Sequence, residues 1–452
     1  MKSKLNRITM ILITAFIFFA VFVFIKKTES QKPDLEFALS GDTSKAIGSE
    51  SQLAGIVLDA KSGLRSLSVL LIKDGTETVI FEKSFPKTNK VYTYNFNVSI
   101  KPKALQINDG KALLKAMATD YSWRNSGNGN LTQIEKEIVI DTKPPRIEIL
   151  SGAHNIIQGG AGLVIYKLSE PCEISGIQAG DNFFPGYLSG SKDKNIFFAF
   201  IGLNYDQPTN TSIAAKAVDY AGNEAKIGFY KYLKKALFKQ DVINITDGFL
   251  EQKMPEFSSA VNLKTKEASL IEQFLEVNRD IRKANFKQIQ DICSNTEHKK
   301  LWKGTFLRFP QSANRAGFAD ARTYKYNGKN IDSQVHLGID LASTAHAPIP
   351  AANSGKVVFA EFLGIYGNTV IIDHGFGLFS LYAHLNRIDA EKGANVKKGD
   401  IIGLSGMTGM AGGDHLHFSM LVHNIFVNPR EWFDPSWIKN NITSKIEQLG
   451  NE

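Results

Sequence analysis

The stretch "GKVVFAEFLGIYGNTVIIDHGFGLFSLYAHL", Gly355 to Leu385, decides the fold of the C-terminal third of the chain. Its apolar runs are short and rich in β-branched and aromatic residues. Gly364, Gly367, Gly375 and Gly377 interrupt them. Short apolar runs bounded by glycine turns read as successive strands, which predicts an antiparallel β domain over residues 301–438. The last run ends in "LYAHL". On a regular strand Ser380, Tyr382 and His384 would share one face, and Leu381, Ala383 and Leu385 the other.

Working outward, the chain has nine histidines, and seven fall between His336 and His423. Two further segments repeat the pattern of "LYAHL". In "VHLGIDLA" an extended strand puts His336, Gly338 and Asp340 on one face, with Leu337, Ile339 and Leu341 anchoring the other. Gly338 leaves room there for an ion. In "GGDHLHFSM" His415 and His417 share a face while Leu416 and Phe418 anchor the strand. Taken singly, each histidine has a packing explanation, and His154, His298, His346 and His423 are read that way. Three strand-anchored segments in one domain instead predict a metal site. A catalytic zinc takes three protein ligands and leaves one position open. The segments offer more groups than that, so some must do other work.

These residues resemble the lysostaphin/LytM-type zinc metallopeptidases, which are peptidoglycan endopeptidases. The resemblance rests on His336-Leu-Gly-Ile-Asp340, Tyr382-Ala-His384-Leu385 and His415-Leu-His417, in that order. The text around them, "GKVVFA", "VKKGDIIGLSGMTGMAGGDHLHF" and "VNPREW", agrees with it. The resemblance covers about residues 300–438. It implies one zinc per chain, bound by His336, Asp340 and His417. It makes His384 and His415 catalytic histidines that do not bind the metal. One takes the water proton and the other stabilises the oxyanion, with His415 favoured as base. Tyr324 or Tyr326, in "DARTYKYNG", is a candidate oxyanion contact. Arg322 is either a substrate contact or a structural ion pair. His374, in "DHG", is structural in the family. Some relatives have lost their ligands and act as wall-binding scaffolds or activators of other hydrolases. This chain keeps all three ligand positions.

The remainder of the chain reads as support. After the basic "MKSKLNR", the 18 residues from Ile8 to Ile25 carry no charge. As a helix they span about 27 Å, near the lower limit for crossing a bilayer. The run is too long for a cleaved signal peptide and ends at Lys26 and Lys27 with no small-residue cleavage site. An uncleaved transmembrane anchor is expected over 1–27, followed by a polar linker over 28–50. "VYTYNFNVSI" alternates as a half-buried strand, and Asp74-Gly75 between two apolar runs marks a hairpin. "AMATDYSWRNSGN" from Ala116 and "AKAVDYAGNEAK" from Ala215 are a weak repeat, 99 residues apart. It resembles tandem immunoglobulin-like β-sandwich modules, placed at 51–140 and 141–235; one larger β domain is the other reading. Residues 236–300 form a helical connector. Leu270, Phe274, Val277, Ile281 and Ala284 give it an apolar stripe over a helix from Lys264 to Ile292. That helix, or the loop "FPQSANRAGF", could lie over the groove. Residues 439–452 are a tail.

The whole is mainly β. The formal net charge is +8, with 22% charged residues. No dense Lys/Arg cluster appears, which argues against nucleic-acid binding. A basic chain suits a carboxylate-rich wall. Peptidoglycan as substrate would place the N-terminus in the cytoplasm and the catalytic domain in the periplasm or extracytoplasmic space. Cell-envelope proteins are candidate partners. Cys172 and Cys293 could form one disulfide if the body is extracytoplasmic, or stay as buried thiols.

Overall fold

The fold is described by a computed structural model covering residues 2–39 and 45–448. Residues 40–44 of the expected linker and 449–452 of the expected tail lie outside the described residues. The chain divides into two units. The first comprises Met1–Arg146, Glu170–Glu173 and Ala217–Ala225, and the second the remainder.

The first unit opens with the helix Lys2–Lys27. Its segment Met10–Lys27 is long and apolar enough to cross a membrane, and none of it is buried in the protein. Two sheets follow. Asp34–Leu39, Ser51–Leu58 and Thr93–Ile100 form one. Ala46–Ile47, Leu131–Ile140, Gly110–Asp120, Leu64–Lys73 and Thr76–Ser84 form the other, in that order. Leu53, Val57, Phe96 and Ile100 from the first sheet meet Leu67, Val69, Leu71, Leu114 and Ile138 from the second in one core. The alternation read from "VYTYNFNVSI" holds: Phe96 and Ile100 are buried, and Asn95, Asn97 and Ser99 exposed. So does the hairpin. Asp74 and Gly75 have φ of 50° and 79°, the left-handed pair a two-residue turn needs. The strand Asp34–Leu39 falls inside the stretch read as a linker. Its Leu35 and Phe37 are buried in the core, an alternation masked by polar flanks.

In the second unit, Ile147–Ile149, Ala161–Leu168, Ile196–Gly202 and Tyr187–Leu188 make a four-stranded sheet. Phe200 on this sheet packs near Trp302 and Trp432, with ring centroids 6.4 and 6.2 Å away. Lys445 Nζ donates to the Leu163 carbonyl at 2.9 Å. The histidine-rich segment forms the expected antiparallel sheet. Its order is Ala313–Ala316, Ile339–Ala342, Leu416–Val422, Leu378–Leu385, Asn368–Asp373, Gly355–Phe362, Asn395–Val396, with Ile425–Val427 paired to Leu416–Val422. Gln240–Ile245 runs parallel to Asp320–Tyr326, which pairs antiparallel with Lys329–His336.

The helical stripe is real but not one straight helix. Leu270–Glu276 and Arg282–Ile292 are α-helical and the turn Val277–Ile281 between them is π. The start shifts from Lys264 to Leu270. The Glu276 carboxylate accepts the Lys264 and Thr265 amides at 2.9 and 2.8 Å, holding that segment as a loop. Ser269 and Glu272 then form a capping box. A separate helix, Asp247–Ala260, precedes it, capped by Thr246. Cys172 and Cys293 are both free thiols, so no disulfide forms between them.

Glu431 gives a prediction within this unit. Its carboxyl packs against Gly160 and accepts the Ala161 amide at 2.8 Å. Burial outweighs that hydrogen bond and pushes the carboxyl up from 4.5 to about 8. A carboxyl raised on folding contributes fully below pH 4.5, and that contribution drains away as the pH rises to about 8. Glu431→Gln keeps the acceptor and removes the titration. The variant should be more stable than the parent at pH 9, by on the order of 3 kcal/mol, and equal to it at pH 4. Unfolding midpoints across pH check this; parallel curves would refute it.

Candidate metal and catalytic site

Two strands and a kink bring the first ligand candidates together. His336 ends the strand Lys329–His336, and Asp340 lies in Ile339–Ala342. They do not share one continuous strand as expected, because the chain leaves the extended form at Leu337 and Gly338. Nor does Gly338 make room for an ion. A Cβ there would stand 2.5 Å from His417 Nε2 and 2.6 Å from Ser419 Oγ, so the glycine makes room for the His417 ring. His417 pairs directly with Asp340 across the sheet.

Three inner atoms converge. His336 Nε2 lies 2.9 Å from Asp340 Oδ1 and 2.9 Å from His417 Nδ1, and His417 Nδ1 lies 3.0 Å from Asp340 Oδ1. Their partners fix the protons. His336 Nδ1 is 2.8 Å from the Gly317 carbonyl, which can only accept, so that nitrogen carries the hydrogen. Ser419 Oγ donates to the Leu337 carbonyl at 2.7 Å and so accepts from His417 Nε2 at 3.0 Å. Both inward nitrogens are therefore bare in the neutral rings. In those neutral rings three lone pairs face one point, and a proton or a cation between them relieves their repulsion. Ligands about 2.0–2.1 Å from a tetrahedral zinc stand about 3.3 Å apart, close to this spacing. The donor set and the geometry fit a zinc ion.

Asp340 is held by more than the two histidines. Arg322 Nη2 donates to its outer oxygen Oδ2 at 2.9 Å, leaving Oδ1 for the metal position. Burial works to raise the carboxyl, but His336, His415 and His417 outweigh it and hold it well below 3.8. Burial pushes His417 down to about 4, and it holds His384 well below 6.5 with help from His415 and His417. Both rings stay neutral and keep a lone pair.

His384 departs from the pattern expected of "LYAHL". Its φ is 66°, a left-handed conformation that is costly for a side chain bearing a Cβ. The bulge is in its own strand: between the pairs Asn368–Leu385 and Val370–Tyr382, Ala383 and His384 together stand against Thr369 alone. Tyr382 packs on Phe418, at 5.2 Å, whereas His384 faces His417 and His415, at 5.7 and 4.9 Å. Phe418 and His417 are on opposite faces of their strand, so the bulge and the left-handed turn bring His384 across to the metal side. Ser380 and Tyr382 stay on the other face in a chain with His374, whose Nε2 is 2.7 Å from Ser380 Oγ. His374 is thus structural.

The His384 Nδ1–H donates to the Thr408 carbonyl at 2.9 Å, and the His415 Nδ1–H to the Gly413 carbonyl at 2.8 Å. Each leaves Nε2 as a bare acceptor. His415 Nε2 lies 3.5 Å from Asp340 Oδ1. Burial opposes its protonation, but the Asp340 carboxylate outweighs burial and raises it.

A groove of about 580 Å³ contains His336, Asp340, His384, His415 and His417, together with Arg322 and Tyr324. Tyr326 is not among its lining. The register slips after Tyr324, and the Tyr326 hydroxyl donates to Asp247 at 2.7 Å. Tyr366, not foreseen from the sequence, lines the groove with its ring 5.6 Å from His417. Burial pushes its hydroxyl up to about 12, so it remains a donor. The signal was a tyrosine between two glycines in "LGIYGN". Gly364 and Gly367 have φ of 45° and 63° and make the tight loop that carries it. Phe249, Gln252, Arg282 and Phe286 from the helical connector form another wall. Asn285 clamps the loop by accepting the Ile365 amide at 2.9 Å, and Glu256 accepts the Gly409 amide at 2.7 Å.

An antiparallel sheet with a converging His–Asp–His set and two further histidines at the floor of a groove defines a hydrolase domain of the metallopeptidase class. Residues 334–429 match the profile described as Peptidase family M23. The DD-carboxypeptidase/endopeptidase Mpg of Neisseria meningitidis serogroup B is 40% identical over 96 residues, 21% of this chain and 22% of that protein. The peptidoglycan DD-endopeptidase ShyC of Vibrio cholerae is 34% identical over 136 residues, 30% of this chain and 31% of that protein. The matched stretches span about a fifth to a third of the curated relatives' lengths. Among solved structures, the catalytic domain of lysostaphin from Staphylococcus simulans is 28% identical, with a TM-score of 0.23, covering 27% of this chain and 92% of that one. A putative peptidase M23 from Pseudomonas aeruginosa covers 62% of this chain and 95% of its own, at 18% identity and a TM-score of 0.41.

Proposed function

We propose that the chain is a membrane-anchored zinc endopeptidase that hydrolyses peptide cross-links of peptidoglycan. The convergence of three bare lone pairs within 3.0 Å carries this reading. His336 Nε2, Asp340 Oδ1 and His417 Nδ1 would hold one zinc. When bound, the ion supplies Lewis acidity toward water and toward the scissile carbonyl. The names of the Neisseria and Vibrio relatives favour a D,D-peptide bond over a glycine bridge.

The chain's own residues divide the remaining work. His415 is the base: its Nε2 is bare and faces the groove, and the Asp340 carboxylate beside it favours the protonated ring that results. His384, kept neutral by burial, presents its Nε2 lone pair from the other side and orients the attacking water. The Tyr366 hydroxyl and the Arg322 Nε–H, buried and without a partner, are the donors available to a developing oxyanion. The helix Lys2–Lys27 would place its N-terminus in the cytoplasm and the groove on the wall side. The upstream β units would act as spacers toward the wall.

Full-length protein with one equivalent of zinc, incubated with purified cross-linked sacculi, should convert dimeric muropeptides to monomers. Mass spectrometry of the products identifies the bond. A folded chain that takes up no zinc and cuts nothing when zinc is supplied would instead be a wall-binding scaffold.

A further inference from the structure

A second cluster of carboxylates lies in the first unit, outside the groove. Glu29, Asp59 and Asp120 each offer a carboxylate oxygen, and these atoms lie within 4.8 Å of one another. Asp59 is 3% exposed and Asp120 fully buried. Carboxylates gathered away from water repel one another and are costly to bury unless a cation is present.

The hydrogen bonds show which oxygen is unserved. Asp120 Oδ1 accepts the Ser122 and Asn130 amides at 3.0 and 2.7 Å, and its Oδ2 accepts Asn130 Nδ2 at 2.8 Å. Glu29 accepts the Ser62 hydroxyl at 2.7 Å and the Gln31 amide at 3.2 Å. Asp59 Oδ1 accepts the Lys61 and Gly63 amides at 3.1 and 2.6 Å. Asp59 Oδ2 is buried with no donor. A carboxylate oxygen shut off from both water and donors pays its full desolvation cost. A cation among the three side chains removes that cost. We propose that Glu29, Asp59 and Asp120 form a binding site for a hard divalent cation, calcium. The ligands are all oxygen, which selects calcium over zinc.

The arrangement recurs. Asp141, Glu170 and Asp219 also bring carboxylate oxygens within 4.8 Å. Asp219 follows Asp120 by the 99-residue offset of the repeat. It accepts the Ala221 and Asn223 amides through Oδ1 and Asn223 Nδ2 through Oδ2, as Asp120 does with Ser122 and Asn130. Among the described residues no buried oxygen of this second trio lacks a donor, so the site is assigned to the first trio alone.

Its position gives it a role. Glu29 comes two residues after the helix Lys2–Lys27. The Lys27 carbonyl accepts the Trp123 amide at 2.7 Å, and the Glu29 carbonyl accepts Ser122 Oγ and Asn130 Nδ2 at 2.9 and 3.1 Å. A calcium ion here ties the chain leaving the helix to two strand ends, those preceding Asp59 and ending at Asp120. It stiffens the exit from the apolar helix.

The test is titration of calcium alone into full-length, zinc-loaded protein in detergent, by calorimetry and thermal unfolding. One equivalent should bind with a Kd of about 10⁻⁴–10⁻³ M, as in extracellular calcium modules, and the unfolding midpoint should rise. Asp59→Asn keeps the oxygen that serves Lys61 and Gly63 and replaces the unserved one with an amide. It should weaken calcium by about tenfold or more. Glu29→Gln, at a more exposed position, should do the same without disturbing the fold. His417→Ala, prepared without zinc, should bind calcium as the parent does. No uptake up to about 10 mM, parental affinity in both carboxylate variants, or loss of calcium in His417→Ala would each overturn the proposal.

Discussion

His417→Ala should lose zinc and peptidoglycan hydrolysis together, whereas His415→Ala should keep zinc and lose hydrolysis alone. The two residues are two positions apart on the same face, yet their inner nitrogens have different surroundings. His417 Nδ1 is 3.0 Å or less from two other bare ligand atoms, while His415 Nε2 is 3.5 Å from Asp340 and meets no second ligand atom of that set. Removing His417 leaves a two-ligand site that zinc does not occupy at micromolar concentration, and activity falls to background. Removing His415 takes away the proton acceptor, a loss of about 10²–10⁴-fold in kcat. Metal content by mass spectrometry and hydrolysis of sacculi are measured on the same preparations. Equal zinc loss in both variants would show that the pair is wrongly divided. Unchanged hydrolysis in His415→Ala would move the base to His384.

How far the sequence carried this site depends on the range of the interactions that build it. Period-2 alternation is local, so "HLH" correctly put His415 and His417 on one face. Glycine-bounded apolar runs likewise predicted the antiparallel sheet. The same rule failed at His384, because its direction is set by a bulge in its own strand at Ala383-His384 and a left-handed backbone at the residue itself. A regular strand would have put it beside Phe418, away from the metal. It failed again at Leu337-Gly338, where an expected strand is broken by a kink. Of the alternatives Tyr324 and Tyr326, the second is engaged by a contact that alternation cannot see, its hydroxyl donating to the distant Asp247.

Longer-range features were less legible still. The wall built from Phe249, Gln252, Arg282 and Phe286 could be suspected only as an apolar stripe. What seats it is contact between distant residues, such as Asn285 with Ile365 and Glu256 with Gly409. The Glu29–Asp59–Asp120 cluster draws on three separate segments and has no motif. The repeat at Asp120 and Asp219 was visible as text, but its carboxylate partners emerge only once the strands are paired.

Gly338→Ala should separate crowding from hydrogen bonding at the metal site. The added methyl would stand 2.5 Å from His417 Nε2 and 2.6 Å from Ser419 Oγ. Neither atom can yield cheaply, since the ring is pinned by its strand and the hydroxyl is engaged to the Leu337 carbonyl. The ring must tilt, and its Nδ1 leaves the position shared with His336 and Asp340. Zinc affinity should fall by about 10–100-fold, the range for disturbing the support of a metal ligand. Stability should fall by about 1–3 kcal/mol, because the overpacking sits at a kink between strands and not in a core layer. Ser419→Ala removes the acceptor of the His417 Nε2–H without adding bulk. The ring then loses its tautomer constraint but keeps its place, so zinc loss should be smaller than in Gly338→Ala. Zinc dissociation constants by competition with a chelator decide the matter. Should Gly338→Ala bind zinc as tightly as the parent, the close approach of His417 to this glycine is not what positions the ligand. Should Ser419→Ala cost as much as Gly338→Ala, the hydrogen bond and not the missing side chain is the controlling contact.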